Sequence, residues 1–244
     1  MANLRETKRR MLEENFFRPR WYSVFINPYF INRRGIYRAM RDFAAQVPED
    51  ARILDIGCGI KPYRSLFASP SYTGIDIEGG GHSDATKHAD AYYDGLSIPF
   101  PDASFDAAIC TQVFEHASDP EKLAKEISRV LTSGGKAIIT MPFVYPEHEI
   151  PYDFRRFTRY EHARVLEKAG FADIRIRKTT GFFGTFSQLF VVSMFEGIAF
   201  PASALKAILT VFIFAPIQIA GLLLDAIFGK AGMTMDYVVT AHKK

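Results

Sequence analysis

Two acidic residues and a pair of glycines have the types and spacing of a nucleotide-like ligand site. Asp55 lies in a short apolar run, and Gly57 and Gly59 follow it with one residue between them. Such a glycine pair allows a sharp turn and leaves no side chain between the backbone and a ligand. Asp76 comes about twenty positions after the glycines, the spacing at which an acid hydrogen-bonds ribose hydroxyls. The pattern predicts a nucleoside-containing cofactor at the end of a strand.

The elements around these residues are those of an open α/β sheet. Ile53–Ile56 is typical of a buried strand, and Ser71–Ile77 predicts the next strand, which ends next to Asp76. Open α/β sheets bind cofactors at the carboxyl ends of their strands. Between the two strands, Lys61–Phe67 predicts a short helix whose first N–H groups face the same crevice. A dinucleotide site needs a third small residue where this chain has Pro62, so a NAD-dependent oxidoreductase or epimerase is the less favoured alternative.

Further strands and helices follow in alternation. Asn32 is expected to cap a helix that runs to about Gln46, because apolar residues recur there at helical spacing. Asp119 before Pro120 predicts the start of another helix, and a capping box at Thr158 predicts a helix over Arg159–Ala169. A third strand is only weakly indicated, over 83–89. The remaining strands are predicted at Phe105–Cys110, Lys136–Met141, Phe171–Arg177 and Met235–Ala241.

Several of these segments together resemble one enzyme family. Asp55-Ile56-Gly57-Cys58-Gly59 resembles motif I of the class I S-adenosylmethionine (SAM) methyltransferases. Pro99–Asp106 resembles the family's link into the fourth strand, and Glu126–Leu131 followed by two glycines resembles its helix-and-turn signature. The resemblance is continuous from Ile53 to Met141. It implies a Rossmann-like α/β fold with a mostly parallel seven-stranded sheet, an antiparallel last strand and helices on both faces.

The resemblance also implies SAM as the cofactor and assigns its contacts. The glycine loop passes under the methionine part of SAM, and the carboxylate at the end of the second strand binds the ribose hydroxyls. For the adenine we prefer Asp90 over Asp94, because Asp-Ala after a strand is the family pattern. The expected cofactor-binding residues are Asp55, Gly57, Cys58, Gly59, Asp76, Ile77, Asp90, Ala91, Thr111 and Gln112.

The segment after the fifth strand is dense in ionisable and aromatic residues and leaves the sheet at the same edge. His148 is the preferred general base and His116 the second candidate, since a hydroxyl acceptor must lose a proton. Tyr152, Asp153 and Arg156 are candidates for binding the acceptor, and a structural ion pair of Asp153 with an arginine under the loop is the favoured alternative for the arginine. No residues have metal-ligand spacing, so no metal site is predicted. A non-catalytic SAM-binding scaffold remains an alternative.

Composition places the chain among reduced, cytosolic α/β proteins. It has 244 residues, a formal net charge of +3 and two cysteines, too few for a disulfide framework. We divide it into a basic, aromatic N-terminal arm over 1–31 and a methyltransferase domain over 32–244. Such an arm suits an anionic lipid surface or nucleic acid, or it packs on the domain, and nucleic acid is not favoured. No secretory signal is recognised.

A hydrophobic insertion over 181–232 separates the sixth and last strands. Ala207–Leu224 has no charged residue, yet as a helix it spans about 27 Å, just short of a ~30 Å hydrocarbon core. A helix in the membrane interface or a re-entrant hairpin is therefore expected, with Pro201 and Pro216 as breaks; a buried helical pair or a homo-oligomer face is the alternative. The sequence thus predicts methyl transfer, preferably to oxygen, on a small-molecule, glycan or lipid-linked acceptor. We expect a cytoplasmic protein, peripheral to the membrane.

Overall fold

The seven strands of the described residues form one sheet, with the order β3-β2-β1-β4-β5-β7-β6. The computed structural model describes residues 14–79, 86–197 and 203–244. The first strand pairs in parallel with β2 and β4, which places the carboxyl ends of all three at one edge. The last strand is antiparallel to β6, because Thr179 pairs with Asp236 and Gly170 with Lys244. The strands are β1 Ile53–Ile56, β2 Tyr72–Ile77, β3 Ala91–Tyr93, β4 Phe105–Thr111, β5 Leu131–Pro142, β6 Phe171–Lys178 and β7 Asp236–Lys243.

Six α-helices with both ends in the described residues accompany the sheet, and residues 14–17 are also helical. Two of them begin as predicted: the Asp119 side chain accepts the N–H of Lys122, and the Thr158 hydroxyl accepts that of Glu161. Short 3₁₀ turns lie at Trp21–Phe25 and Arg64–Leu66. The helices are α1 Phe30–Ala44, α2 Pro120–Val130, α3 Arg159–Lys168, α4 Phe182–Gly197, α5 Ser203–Leu209 and α6 Ala215–Phe228.

The central strands are mostly buried, as their apolar sequences predict. All four residues of β1 are buried, and the main core continues through β4 and β5 onto α2 and α3. The exposed side chains of β6 alternate with inward ones, which is the pattern of a half-exposed strand. A rigid, dry sheet therefore supports the turns at its carboxyl edge.

Three predicted elements are wrong in position. The third strand lies at Ala91–Tyr93, after rather than within 83–89, and part of that predicted range lies outside the described residues. The helix predicted over Lys61–Phe67 is only the three-residue turn Arg64–Leu66, so no helix N-terminus faces the crevice. The fifth strand begins at Leu131 and absorbs the two glycines expected to end a helix, through an irregularity in its pairing with β4.

The chain divides into two compact units, and the boundary falls inside α1. One unit contains residues 40–177 and 237–244 and holds most of the sheet. The other contains residues up to Ala39 together with Lys178–Asp236, and it is helical. The arm and the hydrophobic insertion are therefore parts of the same unit.

Two buried glutamines connect the arm to the insertion within the helical unit. Gln188 on α4 accepts the N–H of Asn32 at 3.1 Å and donates to the carbonyl of Pro28 at 2.7 Å. Gln218 on α6 accepts the N–H of Ile31 at 3.3 Å and donates to the carbonyl of Asn27 at 3.2 Å. The first turn of α1 is thus capped by these glutamines, and the predicted cap at Asn32 is wrong because the helix already begins at Phe30.

Within the described residues, one helical stretch is long and apolar enough to cross a membrane. It is Leu205–Phe228, with 24 residues; an 18-residue window of it has a mean hydropathy of 2.3, and 28% of that window is buried. A π-turn at Thr210–Phe214 precedes Pro216, so this proline lies in the first turn of α6, and the break predicted there is wrong. The other predicted break, Pro201, lies outside the described residues.

Candidate functional site

The glycine turn after β1 has the backbone that only glycine adopts easily. Gly57 and Gly59 both have positive φ, at 66° and 48°. A Cβ on Gly57 would lie 2.3 Å from Cγ2 of Val113, whereas one on Gly59 would have no protein atom within 4 Å. The turn is therefore closed on the side of Gly57, and the space above Gly59 is open for a ligand.

Asp76 is fixed beside this turn by hydrogen bonds to the backbone. Its Oδ2 accepts the N–H of Gly59 at 2.9 Å, and its Oδ1 accepts the N–H of Ile77 at 2.9 Å. Lys87 lies 3.6 Å from Oδ1 and donates to the carbonyls of Ile77 and Gly79. The sequence prediction missed Lys87, because only the fold brings it next to the acid.

Asp55 lies below the turn in a fully buried position. The hydroxyl of Tyr72 donates to its Oδ2 at 2.6 Å. Burial raises the pKa of the Asp55 carboxyl to about 7, and the Tyr72 hydrogen bond and nearby Lys61 only partly oppose this shift. A buried carboxyl poised near neutrality next to the ligand space gains its charge most easily when a cation binds above it.

The structure contradicts the reason for choosing Asp90 and Ala91 as the adenine contacts. Asp90 precedes β3 rather than following it, and Ala91 is the first residue of that strand. The Oδ2 of Asp90 accepts the N–H of Gly74 at 2.7 Å and pairs with Lys61 at 2.5 Å. Asp94 is the acid at the carboxyl end of β3, and its Oδ1 accepts the N–H groups of two following residues.

The other predicted cofactor residues border the same edge of the sheet. Ile77 and Thr111 are the last residues of β2 and β4, and Ile77 is partly exposed. Gln112 has a positive φ of 57° and bonds to Thr140 through its backbone N–H and its side-chain amide. Cys58 is buried inside the turn, and this burial raises the pKa of its thiol to about 12. The thiol therefore stays protonated, and the assignment of Cys58 as a cofactor-binding residue stays a prediction.

Both candidate bases meet beyond the end of β4, around a fully buried carboxylate. Glu115, His116 and His148 each offer one ligand atom, and these atoms lie within 4.8 Å of one another. The imidazole centroids are 5.0 Å apart. Burial lowers the pKa of His148, with His116 acting in the same direction and Asp153 opposing it. Nothing in the sequence spacing pointed to Glu115, whose neighbours come together only through the loop after β5.

The predicted acceptor contacts Asp153 and Arg156 bind each other. The carboxylate of Asp153 takes two hydrogen bonds from the Arg156 guanidinium, which also reaches carbonyls of the same loop. The Arg156 hydrogen bond holds the pKa of Asp153 down, at about 2. These two residues therefore stabilise the loop, as the alternative structural reading expected, while the ring of Tyr152 remains exposed.

Comparison with known proteins identifies the domain that contains this edge of the sheet. Residues 54–139 match the family described as "Methyltransferase domain". The matched segment is a methyltransferase domain, as the resemblance to the class I SAM-dependent methyltransferases predicts. The match spans the glycine turn, Asp76, β3, β4 and most of β5, so the motif resemblance and the observed topology agree on one family.

Several curated relatives share this part of the chain, and their names indicate different methyltransferase activities. A sterol 24-C-methyltransferase of Gibberella zeae is 35% identical over 99 residues, 34% of this chain and 26% of that protein. The 2-methyl-6-phytyl-1,4-hydroquinone methyltransferase of Synechocystis is 26% identical over 144 residues, 52% of this chain and 45% of that protein. The mouse protein named probable tRNA methyltransferase 9B is 31% identical, over 48% of this chain and 28% of its own length. The chain thus spans about a quarter to a half of these relatives.

The fold extends beyond the matched segment. The structure of a Haemonchus contortus phosphoethanolamine N-methyltransferase in complex with SAM covers 94% of this chain and 58% of its own, with a TM-score of 0.55 and 18% identity. At this identity the likeness concerns the fold alone. It supports the Rossmann-like sheet with an antiparallel strand next to its edge.

SAM is the cofactor of this family, and the residues at the site fit it. The open space above Gly59 admits a ligand against bare backbone, and Asp76 is held at its side. The buried Asp55 lies beneath, where a sulfonium or ammonium charge would be favoured.

Proposed function

We propose that this protein transfers the methyl group of SAM to an oxygen of an apolar, hydroxyl-bearing acceptor. The observation that supports it is the junction of Gly59 and Asp76, where a glycine turn and an acid from two parallel strands share one hydrogen bond. When bound, SAM supplies a methyl group on a positively charged sulfur. The protein then has to align the acceptor with that methyl group, and such alignment can supply ~7–11 kcal/mol of the barrier reduction.

Each residue at the sheet edge has a separate task in this proposal. Gly57 and Gly59 let the ligand approach the backbone, and Asp76 binds the ribose hydroxyls. Asp94 replaces Asp90 as the acid proposed to contact the adenine of SAM, since Asp94 follows β3. Glu115, His116 and His148 lie at the acceptor side and promote loss of the hydroxyl proton.

Binding of S-adenosylhomocysteine (the demethylated product) to the purified protein tests the cofactor site. We expect Asp76→Ala to lose at least tenfold in affinity by calorimetry, whereas Asp50→Ala, at the opposite end of β1, should bind like the wild-type protein. Equal binding by both variants, or no binding by the wild-type protein, would contradict the proposal. Steady release of S-adenosylhomocysteine in the presence of a membrane extract separates an enzyme from a scaffold.

The helical unit supports a membrane location, because its polarity is inverted. The faces of α4 and α6 that lie inside the unit carry Gln188, Gln218 and Asp225, all buried. Asp225 accepts the N–H groups of Gly181 and Phe183, at 2.6 and 3.1 Å. Large apolar side chains point outward instead. The exposed ones on α4, α5, the π-turn and α6 are Phe182, Phe186, Phe190, Met194, Ile208, Phe212, Ile213, Leu223, Ile227 and Phe228.

The close packing of α4 and α6 through small residues also supports a membrane location. A Cβ on Gly184 would lie 2.4 Å from Oδ2 of Asp225, and one on Gly221 would lie 2.4 Å from Oγ of Ser187. Helices in membranes associate through small and polar residues, since apolar side chains gain nothing by leaving lipid for one another. In water the same arrangement would expose a large apolar surface, which monomeric soluble proteins avoid.

The arm adds residues suited to the membrane interface. Trp21 is 80% exposed, with Tyr22 and Phe25 partly exposed beside it. The ring of Phe16 differs from these residues, because the guanidinium of Arg33 on α1 stacks on it and holds it against the helical unit. Exposed tryptophan next to basic residues is typical of segments at the headgroup level. We therefore propose that α4, α5 and α6 lie in the cytoplasmic leaflet and that the acceptor is a lipid or lipid-linked molecule.

Flotation with vesicles of phosphatidylcholine and phosphatidylglycerol tests the location. Ile227→Ser, at a side chain that is 73% exposed, should lower the vesicle partition coefficient roughly tenfold, because burying such a side chain contributes about 1.5–3 kcal/mol. The control is Tyr160→Ser on α3, where the ring is 78% exposed in the other unit. Unchanged flotation by Ile227→Ser, or a stable dimer in solution that hides this face, would overturn the membrane proposal.

A further inference from the structure

The cluster at the acceptor side contains two imidazoles that present the same nitrogen to the same place. Nδ1 of His116 lies 2.9 Å from the carbonyl of Tyr152. Nδ1 of His148 lies 3.1 Å from Oδ2 of Asp153 and 3.4 Å from the carbonyl of Pro146. Carbonyl and carboxylate oxygens only accept, so in both rings the proton belongs on Nδ1 and the lone pair on Nε2.

The two Nε2 atoms face acceptor oxygens rather than donors. Nε2 of His116 is 3.9 Å from Oε1 of Glu115 and 4.0 Å from Oε2 of Glu149. Nε2 of His148 is 4.0 Å from the same Oε1 of Glu115. Two nitrogen lone pairs and the Glu115 carboxylate thus lie within 4.8 Å of one another, with the Glu149 carboxylate beside His116. Such a set of electron-pair donors is stable around a cation.

We propose that Glu115, His116 and His148 bind a divalent transition metal ion of the Zn²⁺ type. Two imidazoles and one carboxylate are the ligand set of catalytic zinc sites, in which a fourth position stays open. Imidazole ligands favour such metals over Mg²⁺ and Ca²⁺, which prefer oxygen. Tetrahedral ligands about 2.0–2.1 Å from a metal are roughly 3.3 Å apart, so shifts of about half an ångström close the site.

The surroundings have the second layer of hydrogen bonds that metal-binding histidines use. Asp153 orients His148, and the Arg156 guanidinium in turn holds Asp153. The backbone N–H of Phe154 bonds to the carbonyl of Glu115 at 2.9 Å, which fastens the loop with His148 to the segment with His116. Partners of this kind fix the ring orientation and the tautomer of a ligating histidine.

This inference rests on the proposed methyl transfer and specifies how the acceptor is activated. An acceptor hydroxyl in the open metal position becomes more acidic, because the metal stabilises the oxyanion. Its proton passes through Glu149 to solvent. The oxygen then forms the new O–CH₃ bond as the S–CH₃ bond breaks, with no change in oxidation state. The histidines are metal ligands in this scheme and not the general base predicted from the sequence.

Cobalt substitution tests the site in the full-length protein. After dialysis against a chelator, Co²⁺ should bind at one equivalent and give the visible absorption bands of a four- or five-coordinate site. His148→Ala and Glu115→Gln should weaken Zn²⁺ binding at least tenfold in competition with a chromophoric chelator. Asp153→Asn should weaken it 10–100-fold through the ring orientation. His242→Ala, a partly exposed histidine on β7, should bind like the wild-type protein.

Binding of S-adenosylhomocysteine to the same samples separates the two proposals. The metal site is wrong and the cofactor site stands if S-adenosylhomocysteine binds but Co²⁺ gives no absorption bands at 1 equivalent. The same conclusion follows if Co²⁺ binds equally to the wild-type protein and to the His148→Ala variant. If metal binds and S-adenosylhomocysteine does not, the methyl-transfer proposal fails instead. Should the variants not fold, X-ray absorption of the Zn²⁺-loaded wild-type protein decides, since an all-oxygen shell would overturn the assignment.

Discussion

Replacing Asp55 by asparagine should make the protein more stable at alkaline pH relative to wild type. The carboxyl is buried and its pKa rises from 3.8 to about 7 in the folded state, mainly through burial. Between these two values the folded protein binds more protons than the unfolded chain. Its stability therefore falls as the pH rises towards and through 7, and the loss is complete at about pH 8. An asparagine in the same place has no proton to lose.

The size of the effect follows from the shift. With pKa values of 3.8 unfolded and about 7 folded, linkage predicts that the wild-type protein loses roughly 2–3 kcal/mol between pH 5 and pH 8 through this group. The asparagine carbonyl can still accept the Tyr72 hydroxyl, which is 2.6 Å from the aspartate. The substitution thus removes the titration while it keeps the hydrogen bond.

Urea denaturation at pH 5 and pH 8, without SAM or its product, measures this difference. The free energy of unfolding of Asp55→Asn minus that of wild type should be about 2–3 kcal/mol more positive at pH 8 than at pH 5. Asp106→Asn is the control: the Arg52 hydrogen bond lowers the pKa of Asp106, so its titration lies below this pH window and its difference should stay constant. A constant difference for Asp55→Asn as well would refute the argument that burial governs this carboxyl.

Three further substitutions test the turn, a helix start and the helical unit. Gly57→Ala should lower the free energy of unfolding by about 1–3 kcal/mol in a thermal melt and weaken product binding, because φ is positive and the added Cβ would meet Val113. A second substitution, Val113→Ala, should recover part of this loss. Asp119→Ala should cost about 1 kcal/mol, since its side chain accepts the N–H of Lys122, and intact stability would argue against that cap. Gln218→Leu should cost about 1–3 kcal/mol by urea denaturation, as it leaves buried backbone groups without partners, and a neutral result would contradict this capping.

Local patterns predicted the parts of the molecule that local physics determines. The apolar run of β1, the glycine turn after it and Asp76 near the end of β2 all lie where their spacing indicated, because each depends on a few adjacent residues. The caps at Asp119 and Thr158 are confirmed for the same reason. β3 was misplaced because an edge strand of three residues has too few positions to show a period. That error carried the adenine assignment to Asp90.

Contacts between distant segments were beyond the reach of sequence patterns. Glu115 and His148 meet because the loop after β5 bends back over the end of β4, and no spacing along the chain encodes that return. The capping role of the two glutamines was likewise not predictable, because a glutamine such as Gln218 in an apolar stretch only lowers the hydropathy of a possible membrane helix. Its amide instead supplies hydrogen bonds to a segment that precedes it by almost the whole chain.

The glutamine caps also set the order in which the chain can acquire its structure as it is made. The acceptor for the Asn32 N–H is 156 residues further along, and that for Ile31 is 187 residues further along. At about 5–20 residues per second, the ribosome needs roughly 10–40 s to supply the second of them. During that time the beginning of α1 has to remain hydrated or be held by another protein. The beginning of α1 is therefore among the last parts of the two compact units to reach its final place, although it is translated before the helices that cap it.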